Sequence, residues 1–149
     1  MKIGIANDHA GTELKVYLSN YLESIGHEVV NYGTDSADSY DYPIAGEDLA
    51  NGVVSKEVDL GIAICGTGIG ISIACNKVNG IRACATPIVE VAQLSREHNN
   101  ANILCLGARF VHNEQAVELV NAFINTPFSE GERHIRRVAL LSEIEKKQK

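Results

Sequence analysis

The stretch from residue 59 to 77 constrains the fold of this chain more than any other. Residues 60–64 are an unbroken apolar run, too short for a helix, and so predict a strand buried on both faces. Gly66, Gly68 and Gly70 follow at alternate positions and can bring bare backbone amides close to a ligand. Residues 71–77 then continue as a helix whose N-terminus faces the same space. A strand, a glycine loop and a helix start together orient N–H groups around an anion. Cys65 stands at the strand's end, in that positive field, where a thiolate is favoured. A tight turn beside an inert buried cysteine would use the same residues, so the loop alone leaves both readings open.

The segments on either side complete the pattern. Residues 2–6 predict a strand, followed by Asn7-Asp8-His9-Ala10-Gly11, and 12–25 carry Leu14, Leu18, Tyr21, Leu22 and Ile25 at helical spacing before the stop at Gly26. Residues 27–32 predict a second strand, 33–42 a polar loop, and Pro43 suits the first turn of a helix through 55. Beyond the central stretch, 81–85 predict a strand, 89–97 a helix, and 103–106 a strand closed by Gly107. Asn113 is expected to cap a helix that stops near Thr126-Pro127, and a last helix covers 132–147. The order βαβαβαβαβαα with short connections implies a parallel sheet covered on both faces. Right-handed crossovers then favour a doubly wound, Rossmann-like α/β sandwich of five strands, in one domain over 1–149. The expected strand order is 2-1-3-4-5. It sets Asp8-His9 and the Cys65–Gly70 loop across one crevice, at the switch point between strands 1 and 3.

Composition narrows the chemistry. A net charge of −6 argues against general binding to nucleic acid or to membrane surfaces. Met1-Lys2 leads directly into a strand, which predicts no secretory leader, and no membrane-spanning run is present. Cys65, Cys75, Cys84 and Cys105 form no Cys-x-x-Cys pair, which points to reduced thiols in a cytosolic protein and away from a zinc site. The glycine loop has Ile71 where a dinucleotide fingerprint needs its third glycine, and no Lys-Ser/Thr follows Gly70 as in a Walker loop. A cysteine phosphatase loop, with arginine six after the cysteine, is excluded by the same Ile71.

The polar candidates each have two uses. Asp8 and His9 suit a helix cap as well as chemistry. The Thr67 hydroxyl can serve its own loop. His98 follows a helix, where the macrodipole favours an imidazolium, and Asn99 and Asn100 are ordinary helix-ending residues. Tyr42 before Pro43 can simply pack. Arg133 and Arg137 lie one turn apart on one helix face, as a solvated basic patch or as a guanidinium clamp for a phosphate that Arg109 could join.

The motif Cys-Gly-Thr-Gly-Ile-Gly-Ile-Ser-Ile-Ala-x-Asn-Lys at 65–77 resembles the type B ribose-5-phosphate isomerase family, which also includes galactose-6-phosphate isomerase subunits. Asn-Asp-His-Ala-Gly (7–11), Asp-Tyr-Pro (41–43), Gly-Ile-Arg-Ala (80–83), Gln-Leu-Ser-Arg-Glu-His-Asn (93–99), Gly-Ala-Arg (107–109) and Gly-Glu-Arg-His-Ile-Arg-Arg-Val (131–138) extend the match. The resemblance implies a Rossmann-like sandwich that dimerises, in some members to a tetramer. It implies isomerisation of ribose 5-phosphate through an enediolate, without metal or cofactor. Cys65 would be the base moving a proton between C2 and C1, Thr67 would assist, and the amides of Gly66, Gly68, Ile69 and Gly70 would stabilise the enediolate. His98 would open the sugar ring with help from Asp8. His9, Tyr42 and Asn99 would line the sugar, with Arg109, Arg133, His134 and Arg137 near the phosphate. Another branch of the family carries a carboxylate base where this chain has Ile71, so the resemblance is to the cysteine branch. Cys75 stands where relatives often have alanine.

Such chemistry needs a carbon-acid base, donors for a developing oxyanion and an acid/base for ring opening, all of which the candidates supply. The last helix follows Pro127 and Gly131, so it can leave its own sheet and carry Arg133 and Arg137 to a partner's site. Two alternatives stand beside this expectation. One is an isomerase of a six-carbon aldose or its 6-phosphate. The other is a non-catalytic phosphate or flavin module on a flavodoxin-like fold, which would want a Ser/Thr-rich loop after the first strand.

Overall fold

In the computed structural model, which describes residues 1–148, the chain alternates strands and helices. It runs β1 (Lys2–Asn7), a single 3₁₀ turn (His9–Gly11), α1 (Thr12–Ser24), β2 (Glu28–Asn31), α2 (Tyr42–Val54), β3 (Leu60–Cys65), α3 (Ile69–Asn76) and β4 (Ala83–Ala85). It continues through α4 (Val89–Asn99), β5 (Ile103–Gly107), α5 (Asn113–Asn125) and α6 (Glu132–Lys147). The α3 helix starts at Ile69, and α4 extends through Asn99 before Asn100 ends it in the left-handed conformation. His112, not Asn113, occupies the cap position of α5, and no side chain bonds there.

The sheet has two unlike faces, because residue size alternates along its strands. Ile3, Ile5, Ile62, Ile64, Leu104 and Leu106 meet α1, α4 and α5, where Leu18, Leu22, Leu119 and Phe123 fill the core. Ala6, Ala63, Cys65 and Cys105 turn to the other side, beneath α2 and α3. That side is shallow by necessity. A Cβ at Gly4 or Gly61 would lie 2.6 or 3.0 Å from Leu49 Cδ1, so glycine lets α2 seat directly on the strands.

The five strands are all parallel, in the order β2-β1-β3-β5-β4. The expected order 2-1-3-4-5 is therefore corrected at its far end. β5 is a five-residue, fully buried strand and takes the interior place, whereas β4 has three half-buried residues and suits an edge. This exchange matters for the site, since the segment after β5, not that after β4, now neighbours the loop after β3.

The α6 helix stands apart from the layers. Of its 16 residues only His134 is buried, while Ile135, Leu140, Leu141 and Ile144 are exposed. Its far end is tied down by the Gly80 N–H, which donates to Glu145 Oε2 at 2.7 Å. Among the described residues no helix is long and apolar enough to cross a membrane.

Candidate active site

Parallel strands end together, and β1, β3 and β5 deliver their loops to one edge of the sheet. At the head of β3, Cys65 is 4% exposed and its Sγ accepts the N–H of Gly68 at 3.2 Å. Gly68 has a φ of +81°, and a Cβ there would sit 3.0 Å from the Leu106 carbonyl carbon, so the turn that aims this N–H requires glycine. The Ile69 N–H donates to Thr67 Oγ1 at 3.2 Å. Gly68 and Ile69 thus spend their amides inside the loop, leaving those of Gly66, Thr67 and Gly70 without an internal partner. Two side chains flank the loop. A Cβ at Gly66 would meet the Arg109 guanidinium at 3.2 Å, and one at Gly70 would meet the Tyr42 ring at 2.8 Å. The Ala108 and Arg109 amides, donating to Cys65 O and Gly66 O, fix that flank.

Asp8 and His9 complete this edge. The Asp8 N–H donates to Ile64 O at 3.1 Å, one residue before Cys65, and its Oδ1 accepts from Ala10 N at 2.9 Å. Asp8 thus takes the capping use expected of it, at the start of the 3₁₀ turn. His9 Nδ1 accepts the Tyr40 N–H at 3.1 Å, so the neutral ring carries its proton on Nε2. Behind them, buried Asn7 donates to Asp8 O and Thr34 O, and buried Lys15 bonds Asn31 Oδ1, Thr34 O and the Asp35 carboxylate. Those bonds from Lys15 and Asn31 hold Asp35 below the usual carboxylate range. The sequence singled out neither Tyr40 nor Lys15. The one available signal was a lysine beside Leu14 and Leu18 on the buried side of α1.

The remaining candidates gather elsewhere. α4 runs back against the strands, so His98 and Asn99 in its last turn reach the opposite edge, just before β5 begins. β5 from Ile103 to Gly107 alone spans about 13 Å. One chain therefore does not bring His98 to its own Cys65 or Asp8. His98 instead stacks on His134 of α6, with ring centroids 4.4 Å apart and planes 7° from parallel. Arg133 and Arg137 are exposed beside this pair. Partial desolvation, then Arg133, His98 and Arg137, push the His134 imidazole below its ordinary value, with Glu97 opposing. All four cysteines are free thiols, and among the described residues no three His, Cys, Asp or Glu side chains group as metal ligands.

Known proteins share this fold and much of this sequence. The Ribose/Galactose Isomerase family model matches residues 3–141. The ribose-5-phosphate isomerase B of Escherichia coli is 44% identical over 146 residues, covering 98% of this chain and 97% of that protein. A putative sugar phosphate isomerase of Bacillus subtilis is 40% identical over 148 residues, covering 99% of each. The solved structure of Clostridium thermocellum ribose-5-phosphate isomerase B superposes with a TM-score of 0.98 at 48% identity, covering 100% of both chains. That of a Thermotoga maritima ribose 5-phosphate isomerase gives 0.92 at 46%, over 95% of this chain and 97% of the other.

Proposed function

The chain belongs to the ribose/galactose isomerase family, and from that premise we propose that it interconverts ribose 5-phosphate and ribulose 5-phosphate through an enediolate. The observation that carries this is the Cys65 sulfur, held by the Gly68 N–H at the head of a loop with unpartnered amides on either side. Cys65 takes the C2 proton of the open aldose and returns a proton to C1. Thr67 moves the proton between O2 and O1. The Gly66, Thr67 and Gly70 amides and the α3 N-terminus stabilise the negative oxygen. Gly68 and Ile69, which the resemblance also assigned to the enediolate, act through Cys65 and Thr67 instead. His9 offers Nε2–H, and Tyr42 and Arg109 border the sugar phosphate from opposite flanks. Phosphate binding away from the reacting carbons supplies binding energy for the step at C1 and C2.

Ring opening by His98 then requires a second copy of the chain. His98, Asn99, Arg133, His134 and Arg137 lie at the wrong edge to join their own Cys65, and α6 exposes four large apolar residues that its own sheet does not cover. A C2 dimer, alone or within a tetramer, satisfies both facts, each copy lending this cluster to its partner's crevice and giving two composite sites. Four free thiols fit a reducing cytoplasm.

The test is a panel of aldoses with and without phosphate, assayed for ketose formation. Ribose 5-phosphate should have the highest kcat/KM, above allose 6-phosphate, galactose 6-phosphate and the free sugars. A preference for a six-carbon substrate would reassign the specificity, and a protein inactive on every member would overturn the function.

A further inference from the structure

His134 is the one buried residue of α6, in a helix whose neighbouring basic side chains are exposed. Its seat is built from the connection before it. Arg96 Nε donates to Thr126 O at 3.1 Å and the Ser129 N–H donates to Glu97 O at 3.1 Å, so this segment is fastened to the last turns of α4. The His134 N–H then donates to Gly131 O at 2.9 Å, starting α6 from that anchored point. A Cβ at Gly131 would lie 3.3 Å from His134 Cδ2, so the backbone of the turn closes over the ring. On another side the ring meets His98 in a parallel stack at 4.4 Å. A side chain enclosed in this way is badly placed to reach a phosphate but well placed to fix the plane of its neighbour.

We propose that His134 is a positioning residue for ring opening, its imidazole holding the His98 ring by parallel stacking so that His98 presents a nitrogen to the sugar, and that it is not itself a phosphate ligand. The proposal rests on the role of His98 given above. The surrounding charge fits it. Arg133 and Arg137 from α6 and His98 and Glu97 from α4 are the charged and titratable groups facing His134, and all but Glu97 disfavour its protonation. Two imidazoles in van der Waals contact do not readily share two protons. A neutral His134 therefore gives His98 a flat face to lie on without competing for the proton that His98 must exchange with the sugar.

Three measurements on His134→Ala and His134→Phe separate the possibilities. The first is kcat on ribose 5-phosphate, which enters as a closed ring. The second is exchange of solvent deuterium into C1 of ribulose 5-phosphate, a ketose whose phosphorylated O5 prevents ring closure, so that exchange needs the enediolate step alone. The third is inhibition by inorganic phosphate, which probes the anion site. His134→Ala should lower kcat about ten- to a hundredfold while leaving deuterium exchange and the phosphate inhibition constant within about twofold of wild type. His134→Phe restores a flat partner without a titrating nitrogen and should recover most of the lost kcat. If both variants weaken phosphate inhibition about tenfold and phenylalanine rescues nothing, His134 is a phosphate ligand and the proposal falls. Equal loss of turnover and exchange also overturns it. Should His134→Ala fail to fold, His134→Leu fills the seat without a flat face, and phenylalanine must still surpass it. His98→Asn run in parallel guards the underlying assignment. If it too leaves turnover of the ring form intact, the role of His98 has failed, whatever His134 does.

Discussion

Replacing Gly68 by alanine places a Cβ 3.0 Å from the Leu106 carbonyl carbon on a backbone with φ of +81°. The strain should cost about 1–2 kcal/mol, read from thermal unfolding. The same residue's N–H holds Cys65 Sγ, so a shift of that loop should also lower kcat by about 10²-fold. A variant with the expected stability loss but wild-type kcat would mean that the sulfur contact is incidental. Cys65→Ala removes the proposed base itself from a nearly buried site. It should reduce turnover by at least about 10²-fold while inorganic phosphate still binds and the fold is retained. A variant keeping most of its kcat would remove Cys65 from the mechanism. At this scale the sequence marks side chains with a distinctive address, such as a cysteine ending an apolar strand before spaced glycines. It does not mark partners that act through the main chain. The Gly68 amide on Cys65 and the Tyr40 amide on His9 depend on loop geometry, which residue identity at those positions barely restricts.

The elements follow hydrophobic periodicity closely, because most strands are buried on both faces and most helices on one. The order of the last two strands was not legible for a physical reason. Parallel crossovers allow either arrangement, and the choice depends on which strand buries more. Arg82, just before β4 and half-buried, was the available sign that this segment lies at an edge. Placing β5 beside β3 is what brings Arg109 against Gly66, so a small topological difference decides which guanidinium borders the glycine loop. The one buried side chain of α6 is His134, and its titration makes the packing of that helix sensitive to pH. Its folded-state pKa is lowered, so the unfolded chain binds the proton more readily. The His134 contribution to stability is therefore complete above the unfolded value of about 6.5 and is lost as pH falls through the lower folded value. Melting temperature measured from about pH 7 down to about pH 5 should fall more steeply for wild type than for His134→Phe. Parallel curves would mean that His134 takes up its proton equally in both states.

For the molecule as a whole, the candidate residues divide between the two edges of the sheet, and the proposed function needs a second copy to unite them. The carboxyl edge holds the proposed base, the proposed oxyanion donors and Arg109, while the amino edge holds His98, Asn99 and the α6 cations. Charge and apolar exposure agree with that division, since the basic residues Arg133 and Arg137 of α6 and its Ile135, Leu140, Leu141 and Ile144 are all exposed on their own chain. The sequence carried the residues of both halves and, in Pro127 and Gly131, the turn that lets the last helix leave its own sheet. It could not show that the halves lie at opposite edges, because that depends on where α4 ends relative to β3. Refolding Cys65→Ala together with the Arg133→Ala/Arg137→Ala double variant, each inactive alone, tests this arrangement directly. If the arginines serve the partner's cysteine, each mixed dimer has one intact site and one carrying every lesion. Random pairing of equal amounts should then restore about a quarter of wild-type activity. If each chain's arginines serve its own cysteine, every site in the mixed dimer is damaged, and a preparation shown to contain mixed dimers yet still inactive would contradict the shared site.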